Sequence, residues 1–425
     1  MILNFETNAD HSNKSFSLDF LNTISKKFHE TINREDIGFF QLTENKEHLK
    51  STKIIFEKYK DRKHFVQIGI GGSALGPQML IDALGKKDCG KTFTFLDNTD
   101  SEYISDELSI IDPKESLFYV VSKSGGTAET MACFAICRQA LIECGVKEED
   151  FNKYFVFSTD PVKSDLRDLA NDKGFDALEI PSNIGGRFSV LTSVGLLPAL
   201  FAGIDIDQLY AGAENIKKTI LEDASLDNPL YRAGAELAFA FIESDPKVNQ
   251  TILMPYSSKL KSLSSWFVQL WGESLGKYSE DKKTNTSLTP IPAYGATDQH
   301  SQMQLFMEGT NDKFLFLLEL ESKNVDFNLQ NSIGKSSSDG LNGYTLNQLM
   351  EAQLHGTIKA LRDRERNICH IKIDKNNEYN LGALIVFFES LTALMGHYLF
   401  VDPFNQPGVE LGKKYAYEFL SKKSK

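Results

Sequence analysis

The chain of 425 residues carries a formal net charge of −12 at pH 7, and 41% of its residues are hydrophobic and 24% charged. Its length predicts two or three domains, and its negative charge argues against nucleic acid as a general partner. No apolar run approaches the ~18–20 residues of a membrane span, the N-terminus lacks an export signal, and five cysteines fit neither a disulfide framework nor zinc spacing, so we expect a cytoplasmic protein.

Residues 1–55 mix polar and apolar side chains at helical spacing, which predicts an N-terminal helical arm that carries no chemistry. From residue 64 onward, short apolar strands alternate with helices, and this pattern predicts a parallel sheet covered on both faces. The predicted strands are 64–70, 92–97, 116–121 and 153–158, and the predicted helices are 74–86, 101–109, 127–144 and 162–173.

A second alternation of strands and helices follows a helical connector. Its predicted strands are 250–254, 313–320 and 367–373, and its predicted helices are 258–276, 299–308, 345–365 and 379–400. The predicted organisation is therefore an arm at 1–55, a first α/β domain at 56–205, a connector at 206–240 and a second α/β domain with a C-terminal helix at 241–425. The Ser/Gly-rich stretch GKSSSDGLNG (334–343) indicates a solvated loop.

A glycine-rich turn ends the first predicted strand. Gly71, Gly72 and Ser73 follow apolar residues and precede a predicted helix, so main-chain N–H groups there can approach an anion. Gly69, Gly71 and Ala74 also satisfy a G-x-G-x-x-A dinucleotide pattern. A dinucleotide turn, a sugar-phosphate site and a ligand-free contact between helix and strand are all consistent with this stretch alone.

A second glycine loop, VVSKSGGTAET (120–130), follows the strand at 116–121 and opens a helix. Hydroxyl groups, main-chain amides and a helix N-terminus together favour phosphate binding without a metal, whereas an ordinary N-cap would explain only one or two of the hydroxyls. The stretch lacks the Walker pattern. The polar residues that crowd around Gly125 and Gly126 in this loop are Ser122, Lys123, Ser124, Thr127 and Thr130.

Two further stretches carry an isolated charge in an unusual setting. Arg187 follows two glycines in SNIGGRFSVLTSVG (182–195), a bend that allows a guanidinium to enter a cleft. Glu273 lies in QLWGESLGK (269–277), where bulky neighbours would partly desolvate its carboxyl group, a setting that suits a general base. A structural arginine paired with a carboxylate and a solvent-facing glutamate are the simpler alternatives.

The last two stretches contain a histidine and a lysine. Of the eight histidines, His300 in GATDQH (295–300) has the polar, glycine-containing setting of a site loop, and no two histidines have metal-ligand spacing. In FNQPGVELGK (404–413), Pro407 and Gly408 mark the entry to a helix, with Gln406 just before it and Lys413 inside it. Alone, this stretch indicates a C-terminal helix with a solvated lysine.

Taken together and in this order, these stretches resemble the glucose-6-phosphate isomerase family over residues 64 to 413. The resemblance implies an α/β protein with two sugar-isomerase (SIS) domains, each an α-β-α sandwich with a mainly parallel sheet, preceded by the helical arm. It also implies reversible conversion of glucose 6-phosphate to fructose 6-phosphate through a cis-enediolate, a reaction of glycolysis and gluconeogenesis. Gly126, Ala128 and Asn405 depart from residues common in the family.

The resemblance assigns a role to each candidate residue. Glu273 is the base, Arg187 stabilises the enediolate, and His300 with Lys413 opens the sugar ring, while Glu129 lies near the histidine. The implied contacts with the sugar phosphate are Gly72, Ser73, Ser122, Lys123, Ser124, Thr127, Gln269 and Gln406.

The resemblance implies no cofactor, no metal and a homodimer in which His300 completes the site of the partner subunit. Three alternatives stay open. A nicotinamide-dependent dehydrogenase would need an acidic ribose partner nearer to the first glycine turn than Asp97. A non-catalytic SIS-type sugar-phosphate binding protein would have no use for Glu273, His300 and Lys413. A different sugar-phosphate isomerase of the same superfamily is the third.

Overall fold

A computed structural model describes residues 18–281, 284–286, 288–330 and 340–423. Residues 1–17 of the predicted arm and most of the predicted Ser/Gly loop (334–339) lie outside the described residues. The described part of the arm consists of helices α1 Leu18–Thr31, α2 Gly38–Gln41 and α3 Glu47–Tyr59. Residues of α1 and α2 are buried against the body of the protein, so the arm is part of the fold.

The first sheet has five strands: β1 His64–Ile68, β2 Thr92–Leu96, β3 Ser116–Val121, β4 Phe155–Thr159 and β5 Asp176–Glu179. All pairings are parallel and the order is β2-β1-β3-β4-β5. The helices of this region are α4 Leu75–Leu84, α5 Ser101–Ser109, α6 Ala128–Glu143, α7 Asp165–Lys173 and α8 Ser193–Phe201. Every residue of the central strand β3 is buried, as expected for a parallel sheet covered on both faces.

The connector consists of α9 Ile206–Glu222 and α10 Pro229–Glu243. The strands that follow are β6 Gln250–Pro255, β7 Lys277–Tyr278, β8 Asn285–Thr286, β9 Thr289–Pro292, β10 Lys313–Leu320 and β11 Asn367–Ile373. The second sheet is parallel, in the order β11-β10-β6-β9, while β7 and β8 form a separate antiparallel pair. The helices of this region are α11 Lys261–Leu275, α12 Met303–Glu308, α13 Leu346–Asp363, α14 Glu378–Leu399 and α15 Glu410–Lys423.

Helix α14 is the central helix of the core. It crosses α9 at backbone distance: a Cβ atom on Gly212 would lie 1.7 Å from the carbonyl oxygen of Tyr379, and one on Gly382 would lie 2.0 Å from that of Leu209. Glycine at both positions is what allows this approach. Among the described helices, only α14 is long and apolar enough to cross a membrane, and 94% of its apolar window is buried inside the fold, which explains its composition.

The predicted fold class is confirmed: two mainly parallel sheets with covering helices follow a helical N-terminal region. Strands β5, β7, β8 and β9 were not predicted, and the helix predicted at 299–308 is a turn at Thr297–His300 followed by the short α12. A single cluster of buried apolar residues runs from the arm through the connector to α14. The domain boundaries at 55/56, 205/206 and 240/241 stay predictions.

Candidate active site

The first glycine turn joins β1 to α4 and lies between two other site segments. A Cβ atom on Gly72 would lie 2.2 Å from the carbonyl oxygen of Gly186. The backbone of this turn is therefore in direct contact with the backbone of the turn that contains Arg187. A Cβ atom on Gly69 would lie 2.9 Å from the carbonyl oxygen of Val121, and one on Gly71 would lie 2.9 Å from Nε2 of Gln269. The turn therefore touches both the second glycine loop and the segment of the predicted base.

Gly72→Ala is expected to lower the free energy of unfolding by about 1–3 kcal/mol, because the added methyl group overlaps a main-chain carbonyl that cannot move without the Gly186 turn. Gly356→Ala is the matched control. Gly356 is an exposed residue of α13, and a methyl group added there would meet no atom within 4 Å, so alanine should be neutral or stabilising by up to about 1 kcal/mol. Urea unfolding of both variants measures the difference, and equal stabilities would contradict the close contact.

The second glycine loop is held in shape by its own hydroxyl groups. Oγ of Ser122 lies 2.9 Å from Oγ1 of Thr127 and accepts the N–H of Gly125 at 3.1 Å. Gly125 has φ +75° and Thr127 is the N-cap of α6, while Ser124 is exposed at the outer side of the loop. The first N–H groups of a helix have no acceptor within the helix, so the loop presents donors together with the positive end of the helix dipole.

The ammonium group of Lys123 is directed away from this loop, toward the segment that precedes Arg187. Its Nζ donates to the carbonyl oxygens of Ser182 at 2.8 Å and Ile184 at 3.0 Å. Burial lowers the pKa of Lys123, and the nearby Asp160 opposes this shift. The side chain of Lys123 therefore braces the segment before the arginine, and the group that it can offer to a bound anion is its main-chain N–H. Glu129, half-buried in the first turn of α6, lies beside the loop.

Arg187 is the most buried charged residue of the site, with 3% of its surface exposed. Its Nε donates to Oγ of Ser274 at 2.7 Å, and its Nη1 lies 3.4 Å from Oε2 of Glu273. The same Nη1 donates to Oε1 of Gln406 at 3.0 Å, and Nη2 donates to the carbonyl oxygen of Asn405 at 3.0 Å and to that of Pro403. Burial lowers the pKa of Arg187, but a guanidinium stays charged at neutral pH.

Glu273 lies near the end of α11 and its carboxylate is held from two sides. Oε1 accepts Nε2 of Gln269 at 3.0 Å, one helical turn earlier, and Oε2 faces Arg187. The side chain is 32% exposed, so the carboxylate is both oriented and accessible. Glu273, Lys277 and Gln406 line an open cleft of about 1060 Å³. Such a cleft admits a ligand of hexose size.

Lys277, four residues after Glu273, is a site residue that the sequence interpretation missed. Its Nζ donates to the carbonyl oxygens of Asp402 and Asn405, the segment that Arg187 also contacts. Burial and the nearby guanidinium lower the pKa of Lys277 to about 8, whereas Asp402 and Glu273 oppose the shift. Lys277 lies beyond the end of α11, in β7, so no helical spacing in the sequence pointed to it.

The lowered pKa of Lys277 predicts how stability depends on pH. Its pKa in the folded protein is about 8 and its ordinary value is 10.5, so between these values the unfolded chain binds a proton that the folded protein does not. The free energy of unfolding should therefore rise with pH in this window, relative to Lys277→Met, in which this group is absent. Urea unfolding of both proteins from about pH 7 to pH 10 measures this difference. A difference that is flat or falls with pH would contradict the shift.

The other two predicted catalytic residues lie apart from this group within the described chain. His300 is an exposed residue at the end of the turn Thr297–His300 that follows β9, and no hydrogen bond or ion pair among the described residues joins it to Arg187 or Glu273. The side chain of Lys413 is 59% exposed on α15, and its Nζ lies 2.8 Å from Oε1 of Glu410. Within one chain, the structure therefore brings together the predicted base and arginine with both glutamines and both glycine turns.

A different group of side chains resembles a metal site by distance alone. Ligand atoms of Glu319, Glu351 and His355 lie within 4.8 Å of one another at the end of β10. Glu319 also lies 2.8 Å from Nε2 of His370 and 3.9 Å from Nζ of Lys372, so its carboxylate already has partners in the protein. The cluster shares no residue with the Arg187–Glu273 group, and the expectation that the reaction needs no metal stays a prediction.

The chain is similar to known proteins over most of its length. A family model described as phosphoglucose isomerase matches residues 39–425. The chain is 37% identical to a glucose-6-phosphate isomerase of Carboxydothermus hydrogenoformans over 404 residues, 91% of this chain and 85% of that protein. It is 38% identical to a glucose-6-phosphate isomerase of Thermus thermophilus over 378 residues, 89% of this chain and 88% of that protein.

Solved structures show the same fold. A Thermus thermophilus protein described as hypothetical superposes with a TM-score of 0.87 at 35% identity, covering 95% of both chains. A glucose-6-phosphate isomerase of Chlamydia trachomatis superposes with a TM-score of 0.78 at 22% identity, covering 95% of this chain and 78% of that one. The resemblance inferred from the motifs is confirmed, and the chain belongs to the phosphoglucose isomerase family.

Proposed function

We propose that the protein interconverts D-glucose 6-phosphate and D-fructose 6-phosphate through a cis-enediolate, as an enzyme of glycolysis and gluconeogenesis. The observation that carries this proposal is the pair formed by a buried guanidinium and an accessible carboxylate, 3.4 Å apart. An aldose–ketose isomerase needs one base to move a proton between adjacent carbons and one cation to stabilise the oxygen that becomes negative. This pair supplies both.

In the proposed reaction, Glu273 removes the proton from carbon 2 of the opened aldose and returns it to carbon 1. Arg187 stabilises the enediolate, because it is charged and almost fully buried, where electrostatic interactions are stronger than in water. Gln269 holds the carboxylate through Nε2, and its buried Oε1 has no hydrogen-bond partner among the described residues, so it can accept a sugar hydroxyl. Gln406, held by Arg187, is the second flanking contact.

The proposed binding site of the phosphate group is the second glycine loop, remote from the reacting carbons. Ser122, Ser124 and Thr127 offer hydroxyl groups to the phosphate, and Lys123 offers its main-chain N–H. All four residues lie beside the N-terminus of α6. Gly72 and Ser73, in the turn between this loop and Gln269, lie beside the sugar. Binding energy at the phosphate orients carbons 1 and 2 against Glu273.

Ring opening is assigned to His300 and Lys413, with Glu129 near the histidine. Because His300 is exposed and has no contact with Glu273 in its own chain, we propose that it completes the site of a partner subunit in a homodimer. Helix α15 supports association, because the large apolar side chains of Leu411 and Tyr415, one helical turn apart, each expose more than half of their surface.

A coupled assay tests the reaction. Glucose 6-phosphate is added to the purified protein, and fructose 6-phosphate is measured, with mannose 6-phosphate and NADH as control ligands. Turnover at an ordinary enzymatic rate, on the order of 1–10³ s⁻¹, is expected. Tight binding of fructose 6-phosphate without turnover would contradict the proposal in favour of a sugar-phosphate binding protein, and binding of NADH would favour the dehydrogenase.

Mixing two inactive variants tests the shared site. Glu273→Gln and His300→Ala homodimers should each be nearly inactive, but a hybrid dimer has one site with both native residues. After dissociation and reassociation of equal amounts, activity should recover to about one quarter of wild type, because about half of the dimers are hybrids with one intact site of two. If His300 serves its own subunit, no site is intact and no activity returns.

A further inference from the structure

The turn before the C-terminal helix accepts hydrogen bonds from two positively charged side chains. Arg187 donates to the carbonyl oxygen of Asn405 at 3.0 Å and to Oε1 of Gln406 at 3.0 Å, and Lys277 donates to the carbonyl oxygens of Asp402 and Asn405. Both cations thus meet at one carbonyl oxygen, that of Asn405. We name residues 402–406 the clamped turn.

The position of Lys277 is electrostatically unfavourable by itself. Its ammonium group is half-buried and lies near the guanidinium of Arg187, so both burial and a like charge oppose its charged form. The groups that oppose these effects are Asp402, Glu273 and the two carbonyl oxygens. A surface lysine without a structural role would extend into water, whereas Lys277 donates its hydrogen bonds to the clamped turn.

Lys277 is also tied to the proposed base. Helix α11 ends at Leu275, and Lys277 begins β7 four residues after Glu273. The carboxylate and the ammonium therefore belong to one short stretch of chain, separated by three residues. A displacement of the clamped turn relative to Lys277 would displace Gln406 relative to Glu273.

We propose that Lys277 is a positioning residue: it holds the clamped turn against Arg187, and so fixes Gln406 and the first turn of α15 at the mouth of the cleft. This proposal rests on the proposed function, since the activity it supports is the isomerisation. Positioning errors of about 1 Å can cost a factor of about 10² in rate, so a clamp of this kind affects turnover even though Lys277 does not touch the reacting carbons.

The experiment compares Lys277→Met, Lys277→Arg and a matched control, Lys259→Met. Lys259 is an exposed lysine of the turn before α11 and lies outside the site. Two readouts are taken on the full-length protein: native-state hydrogen exchange of peptides covering 402–412, and kcat and KM for glucose 6-phosphate. In Lys277→Met, exchange in 402–412 should rise by about tenfold or more, because charge-assisted hydrogen bonds to the turn are lost.

In the same variant, kcat should fall by about 10- to 100-fold with a smaller change in KM, because the phosphate loop is untouched. Lys277→Arg should restore both readouts in part, and Lys259→Met should match wild type. Unchanged exchange in Lys277→Met would overturn the clamp whether or not the protein is an isomerase. Faster exchange with unchanged kcat would overturn the positioning role. Faster exchange in a protein whose wild type has no isomerase activity would support the clamp and refute only the proposed function.

Discussion

Glu273→Gln is expected to lower kcat for the conversion of glucose 6-phosphate by about 10²–10⁴-fold with little change in KM. Glutamine keeps the size of the side chain and can still accept from Nε2 of Gln269, which lies 3.0 Å from the carboxylate, but it has no basic carboxylate. The proton at carbon 2 then has no acceptor in the site. Steady-state rates measured with substrate deuterated at carbon 2 report on this step directly.

Glu222→Gln is the control for this experiment. Glu222 is an exposed glutamate at the end of α9 and lies away from the cleft, so its amide variant should retain wild-type kinetics. Similar thermal unfolding of the two variants would show that the loss of rate is not a loss of structure. If Glu273→Gln isomerises at close to the wild-type rate, Glu273 is not the base.

Arg187→Lys is expected to lower kcat by about 10²–10³-fold, the effect of removing a preorganised donor from a developing oxyanion. Lysine keeps a positive charge, but it cannot reproduce the planar fork that reaches Ser274, Glu273 and the clamped turn at the same time. The free energy of unfolding should also fall by about 1–3 kcal/mol, because buried hydrogen-bond acceptors lose their donor. Both the loss of kcat and the loss of stability are measured. The value of kcat is taken at a temperature well below the unfolding midpoints of the wild type and the variant.

Arg364→Lys separates the effect of the position from that of the substitution. Arg364 is exposed at the end of α13, so the same change there should leave both kcat and stability near wild type. An Arg187→Lys variant with wild-type kcat would contradict the role of the guanidinium in stabilising the enediolate, whatever its stability.

The strands that were predicted and those that were missed differ in a physical way. Apolar central strands such as β3 (SLFYVV) are recognised because both of their faces are buried. Strand β5 (DALE) is short, half-exposed and at a sheet edge, so it carries no apolar run. Strand β9 (TPIP) contains two prolines, which a ladder tolerates only at an edge, and β9 is an edge strand of the second sheet.

The site shows a similar division. Motifs predicted the base and the arginine individually, and the structure places them 3.4 Å apart even though 86 residues separate them. The role of Lys277 had no comparable signal, because its partners are main-chain carbonyl oxygens more than 120 residues away and any residue supplies a carbonyl. The catalytic roles that the family resemblance assigns to His300 and Lys413 depend on a second subunit and on the position of α15. These roles stay a proposal.

Nuclear magnetic resonance of glucose 6-phosphate incubated in D₂O with wild type and, in parallel, with Glu273→Gln tests the central claim most directly. We predict that the wild type forms fructose 6-phosphate carrying deuterium at carbon 1, because a proton held by a carboxylate can exchange with solvent before it is returned, and that the variant forms almost none over the same time. Isomerisation by the variant at the wild-type rate, or no fructose 6-phosphate from either protein, would contradict the account.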